Sequence, residues 1–290
     1  MRETVIRWTF YMGALLVVGP LAGAITASVR APDGGADATA LVSASPGVGL
    51  LTVLAAVALA GAFGAACAFF SGVRPGMITC GLVLCWATWR TGTVDQILRS
   101  AGNGAPLVRL AVEGAVLAPA ALLVGLLICM ATRPEPEKDG RRPALTSAAS
   151  LARLREGLLE GKTTALALGA GAAAFAGLTW LIAIEPLKGQ AVAAAAAGAC
   201  GAAVVSKLAC SRVSPALPLA AAALLMILGP LTPAVMGQVD TPAKMLDTLY
   251  RGGLFTLANL TPLDWMAGAF LGIPIGLGWV GTTEKHLAAT

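Results

Sequence analysis

Histidine is almost missing from this sequence: His286, near the C-terminus, is the only one. Most general-base schemes then have no supplier, and zinc sites have few ligands. The motifs H-E-x-x-H and G-x-S-x-G are absent as well. Gly157-Leu-Leu-Glu-Gly-Lys-Thr163 carries the closing Gly-Lys-Thr of a phosphate loop, but its first glycine stands one residue too close. That stretch also precedes an apolar run instead of following a strand, so it reads as chance. No catalytic residue, no metal and no cofactor is expected, and the chain reads as a non-enzyme.

Charge is scarce too. Only 12% of the 290 residues are charged while 57% are hydrophobic, and the mean hydropathy is +0.79. Water-soluble domains carry about 25% charged residues, so a soluble fold is excluded. The net charge of +5 comes from basic residues scattered through polar stretches, not from one basic arm. That pattern suits cytoplasmic loops beside anionic lipid and argues against nucleic acid as a partner. No C-x-x-C occurs, and Cys67, Cys80, Cys85, Cys129, Cys200 and Cys210 all fall in apolar runs, where they read as small buried residues. Arginine-rich, alanine-rich and glycine-rich composition points to a bacterial genome, and hence to a bacterial inner membrane.

What the sequence has in abundance is apolar blocks of about 20 residues, the length that spans about 30 Å of hydrocarbon. Eight qualify: 8–29, 48–70, 75–94, 106–131, 164–184, 190–208, 216–236 and 263–283. The fold class is therefore all-α, a polytopic helical membrane protein of about eight spans. The third span is the weakest, since Arg90 interrupts it, although an arginine near a helix end can reach the interface. The first apolar stretch, about 22 residues, exceeds a typical signal-peptide core and is read as a retained span. With the N-terminus in the cytoplasm, 13 of the 20 lysines and arginines fall inside and seven outside, which favours both termini inside. Trp8 and Trp279 then lie near inner ends, and Trp86, Trp89, Trp180 and Trp265 near outer ends, as an aromatic belt requires.

Three regions follow: a first four-span half (1–132), a cytoplasmic linker (133–162) and a second four-span half (163–290). The linker opens with Arg133-Pro-Glu-Pro-Glu-Lys-Asp-Gly-Arg-Arg-Pro, which has no apolar content. Leu151, Leu154 and Leu158 then recur at helical spacing, predicting a short amphipathic helix on the membrane surface. A second in-plane helix is predicted outside. Thr241 caps it, Pro242 suits its first turn, Met245, Leu246, Leu249 and Tyr250 form its apolar side, and Gly252-Gly253 ends it.

The halves resemble each other. Gly92-Thr-Val-Asp95 follows the third span and Gly237-Gln-Val-Asp240 the seventh, an offset of half the chain. Gln96-Ile-Leu-Arg99 resembles Lys244-Met-Leu-Asp247, and Ala105-Pro-Leu107 resembles Thr261-Pro-Leu263. Gly114-Ala-Val-Leu-Ala-Pro119 resembles Gly268-Ala-Phe-Leu-Gly-Ile-Pro274. Halves with an even number of spans share one orientation, so the expected duplication is a parallel repeat about an axis along the membrane normal.

Ionisable residues within spans are costly and usually functional. Glu113 is the best candidate, with Arg109 four residues earlier as an expected ion-pair partner. Asp264, Arg90 and Glu185 lie nearer the surface, and Asp95 and Asp240 suit helix caps. Pro119 and Pro274 interrupt corresponding spans, a pairing that marks substrate sites in transporters. A substrate-binding set of Glu113, Arg109, Pro119, Pro274 and Asp264 follows. Gly114, Gly268, Gly272 and Gly276 are read as helix-packing positions, within the chain or between protomers. Two functions fit: a small-solute or lipid transporter, or a structural subunit of a larger membrane complex. The partners are the lipid bilayer and other membrane subunits or a second copy. With no carboxylate at mid-membrane, proton coupling is not expected. Reporter fusions test the span parity: fluorescent protein fused to either end is expected to fold and fluoresce in the cytoplasm, and one dark terminus overturns the even count.

Overall fold

The computed structural model describes residues 2–35, 38–132, 161–183, 187–209 and 215–287, all of them helix or connecting turn and loop. The linker, its surface helix at Leu151–Leu158, Glu185 and Cys210 lie outside the described residues. Helix α1 (Arg2–Gly13) runs through a π-helical turn, Ala14–Val18, into α2 (Gly19–Thr26). The widening has a local cause. Pro20 has no N–H for the carbonyl four residues back, and the Gly19 N–H reaches five residues back to Ala14 O.

The first set continues with α3 (Pro46–Ser71), α4 (Val73–Trp89), α5 (Val94–Ala101) and α6 (Ala105–Ala131). The second comprises α7 (Gly161–Ile182), α8 (Lys188–Ala209), α9 (Ala216–Leu228), α10 (Thr232–Val235), α11 (Pro242–Tyr250) and α12 (Pro262–Leu287). Among the described residues seven helical stretches are long and apolar enough to cross a membrane: the α1–α2 run, α3, α6, α7, α8, the α9–α10 run and α12. Leu16, Leu51, Leu166 and Leu208 lie exposed on them, where lipid is the solvent that suits them. The chain is a multi-pass integral membrane protein.

The span expected at 75–94 is shorter than its hydropathy. Helix α4 has 17 residues, about 25 Å at 1.5 Å per residue. It stops at Trp89 because the next residues are engaged elsewhere: the Gly92 N–H donates to Ala38 O at 2.8 Å, and Thr93 opens α5 with a capping box to Gln96. Although short, α4 is central, packed between α2, α3 and α12.

Glycine sets the closest approaches. Along α12, an added Cβ on Gly268, Gly272 or Gly276 would lie 2.3 Å from Ala195 Cβ, 2.0 Å from Ala196 O or 2.3 Å from Cys200 O, all on α8. The G-x-x-x-G stripe thus works within the chain, bringing two backbones into contact. Between the two sets the packing is reciprocal: α6 lies on α9 and α12 lies on α4. Gly114 of α6 meets the Met226 carbonyl of α9, and Gly81 of α4 meets Leu271 of α12.

The short helices α5 and α11 cap one end of the bundle together. Val94 and Leu98 cluster with Met245 and Leu249, and Arg99 donates to Leu249 O at 3.0 Å while lying 4.8 Å over the Tyr250 ring. Helix α5 is an element the hydropathy pattern passes over, since eight residues hold too few apolar positions to stand out. Asp95 and Asp240 are not caps. They pair with Arg99 and Lys244 four residues on, and the caps are Thr93 and Thr241. Tyr250 is exposed, not part of α11's buried side. Trp8, Trp89, Trp180 and Trp279 are exposed as belt residues would be, whereas Trp265 is buried edge-on against Phe175.

The α8–α12 contact has no room for a side chain on the stripe. Replacing Gly272 by Leu is expected to cost about 3 kcal/mol or more, overpacking at the upper end of its range, read as a lower melting temperature in detergent. Gly47→Ala, where an added Cβ meets nothing within 4 Å, should leave that temperature unchanged.

Candidate functional site

At the capped end the chain between α2 and α3 folds back into the bundle. The Ala44 N–H donates to Arg30 O at 2.8 Å, Gly92 to Ala38 O, and Ser43 Oγ to Ala40 O at 3.0 Å. Ala38, Thr39, Ala40 and Ser43 are buried. We call residues 38–45 the strap. Gly49 at the start of α3 admits it: a Cβ there would lie 2.3 Å from Ala40 O.

Glu113 meets the strap from below. It lies about 12 Å along α6 from Ala105 and is 1% exposed. Its Oε2 accepts the Leu41 N–H at 3.0 Å. Thr39 is buried beside it, and its Oγ1 makes no hydrogen bond of normal geometry. The expected ion pair with Arg109 does not form. Arg109 is exposed and lines, with Asp33, Val42 and Asn103, a cavity of about 240 Å³.

Asp264 has the opposite kind of environment. It is fully buried at the start of α12. Lys188 Nζ, from the first residue of α8, donates to Oδ2 at 3.0 Å and to Oδ1 at 3.2 Å. Thr261 donates to Oδ2 through its N–H at 2.8 Å and its hydroxyl at 2.7 Å, and the Thr88 hydroxyl at the end of α4 donates to Oδ1. A buried carboxylate with a cation and three further donors is well compensated. Lys188 and Asp264 also act through space on Glu113. Lys188 and Asp264 pair between α8 and α12 beside the end of α4, and Glu113 is buried between α6 and the strap.

The two prolines do not join them. Pro119 is exposed on the outside of α6 and Pro274 is buried within α12, so they do not open onto a common cleft. Gly114, Gly268, Gly272 and Gly276 are all at helix contacts. Lys188, Thr88 and Thr261 are the site residues that sequence reading missed. Thr261-x-x-Asp264 has the spacing of a capping box, and that signal was in the sequence. Lys188 had none, because its partner stands 76 positions away. Among the described residues no three His, Cys, Asp or Glu side chains group as a metal site.

Comparison adds no name. No family model, curated protein or solved structure matches the chain. The site is therefore read on its own chemistry.

That chemistry predicts an asymmetry. Lys188→Met leaves the Asp264 carboxylate buried without its cation, and is expected to cost about 3–5 kcal/mol. Adding Asp264→Leu removes the orphan charge and should restore much of the loss. Melting temperatures of the single and double variants in detergent check it, and equal values for Lys188→Met and wild type would contradict a buried pair.

Proposed function

We propose that the chain is a transporter or permease for a small solute or lipid in a bacterial inner membrane. In this reading it crosses the membrane eight times, α4 being the short span, with both termini cytoplasmic and the capped end outside. Its two four-span sets form a parallel repeat. Each set ends in a short capped helix and a long final helix, and each final helix lies on the third helix of the other set. That exchange is what a two-fold axis along the membrane normal produces.

One observation carries the reading. Glu113 from the first set and Asp264 from the second, with its Lys188 partner, are charged groups buried in the bundle within electrostatic range of one another. Charges inside membrane proteins are expensive and mark pathways and binding sites, and transporters bind between their repeats. The site is shut here, with Glu113 1% and Asp264 0% exposed, as an occluded state would be. Substrate access runs from the Arg109–Asp33 cavity past the strap. The reaction is movement, not chemistry, and no catalytic residue is assigned.

A non-catalytic subunit of a larger membrane complex is the second reading. Val235, Met236 and Tyr250 are all exposed on the elements at the capped end, apolar surface that a partner subunit or second copy would cover. Purification in mild detergent separates the two: a stoichiometric co-purifying subunit supports the second.

Ligand binding tests the first. A panel of small amino acids, amines, carboxylates and short-chain lipids is screened by melting temperature in detergent. A ligand at 100 times its dissociation constant stabilises by about 2.7 kcal/mol. The shift is expected to vanish in Glu113→Gln while that variant's unliganded melting temperature holds. No shift from any class, or a shift that survives Glu113→Gln, counts against a site at this cluster.

A further inference from the structure

Glu113 and Asp264 are built for different tasks. Asp264 holds an ammonium and three further donors. Glu113 has only neutral donors of its own, the Leu41 N–H and the Thr39 hydroxyl beside it, and its nearest basic residue in sequence, Arg109, is turned out to the exposed surface. Of the elements packed against α6, α12 brings Asp264, and Lys188, the one cation that acts on Glu113 through space, is already bonded to that carboxylate. Helix α3 has no charged residue, and neither does α9. From α4 only the Cys85 thiol stands near Asp264, and the Asp95–Arg99 pair of α5 is closed on itself at the surface. As an anion, Glu113 would leave this enclosed cluster with one negative charge in excess.

Burial makes that excess costly unless a positive species joins it. The strap lies between the carboxyl and the cavity lined by Val42. A proton is the one cation that needs no room. Beside Glu113 the buried Thr39 hydroxyl, which makes no normal hydrogen bond, can also accept a hydrogen bond from it. We propose that Glu113 is a proton-binding site of the closed bundle, holding one proton while the strap is in place and releasing it to water when the strap withdraws. The step is a proton transfer from the carboxyl to water, with no other bond made or broken. The Leu41 N–H bond is the latch that ties the two events together. This proposal departs from the expectation that the chain is not proton-coupled. It identifies the coupling ion of the proposed transport site and rests on that reading only for its purpose.

The linkage has a definite sign. The open state binds fewer protons, so raising pH favours opening. Hydrogen–deuterium exchange of the full chain in lipid nanodiscs reads it at the 38–45 peptide, corrected for the intrinsic pH dependence of exchange. Protection there should fall from mildly acidic to mildly alkaline pH, by up to about tenfold per pH unit, the limit for one proton. In Glu113→Gln, which keeps the acceptor for Leu41 but cannot ionise, protection should stay high and flat to within about twofold. A wild-type strap whose protection does not change with pH overturns the proposal, and so does a Glu113→Gln strap that follows the wild-type curve. If the variant does not fold, the wild-type series alone decides. A pH-linked strap in a chain that binds no solute would sink the transport reading and leave the proton site standing.

Discussion

Backbone and Cβ atoms of α8 occupy the space where side chains of α12 would be if Gly268, Gly272 and Gly276 were any other residue. Most of the second set hangs on that contact. In lipid, helices gain nothing from hiding apolar surface, so they associate where backbones come close enough for dispersion and weak polar contacts to add up. The same approach sets where the ends of the two helices stand. With α8 against α12, the first residue of one meets the third residue of the other, and Lys188 reaches Asp264.

That ion pair in turn shapes the neighbourhood. A carboxylate at 0% exposure persists because the cation, the Thr261 box and the Thr88 hydroxyl replace the water it lost. Three elements are pinned by one group: α4, α8 and α12. Glu113 has no direct bond to that cation, and its hold is on the strap. The geometry is that of a stable anchor beside a labile latch. Cost and function coincide in such a place, because a group that is only partly compensated is the one whose state an external ligand or proton can change.

Much of the architecture was legible beforehand. Long apolar runs mark the spans because lipid leaves the backbone no other partner than itself. Thr241-Pro242 and Gly252 mark α11, since a hydroxyl cap, a proline in the first turn and a glycine at φ +63° are local backbone requirements. Where reading by hydropathy went astray, the cause was a bond to a distant residue. Helix α4 ends early because Gly92 turns to Ala38. Arg109 misses Glu113 because their four-residue spacing places them near each other without deciding which one the bundle buries.

The sequence by itself determined that this chain belongs in a membrane, where most of its long apolar helices lie, and where glycine allows helices to touch. These are properties of short segments, set by the free energy of moving side chains and backbone between water and lipid. Only the tertiary structure decided that Lys188 belongs to Asp264, that Glu113 belongs to the strap, and that Pro119 faces outward while Pro274 is buried. Those pairings join positions 72 and 76 residues apart. No local pattern encodes them, because they follow from the rotation and height of each helix after all the others have packed.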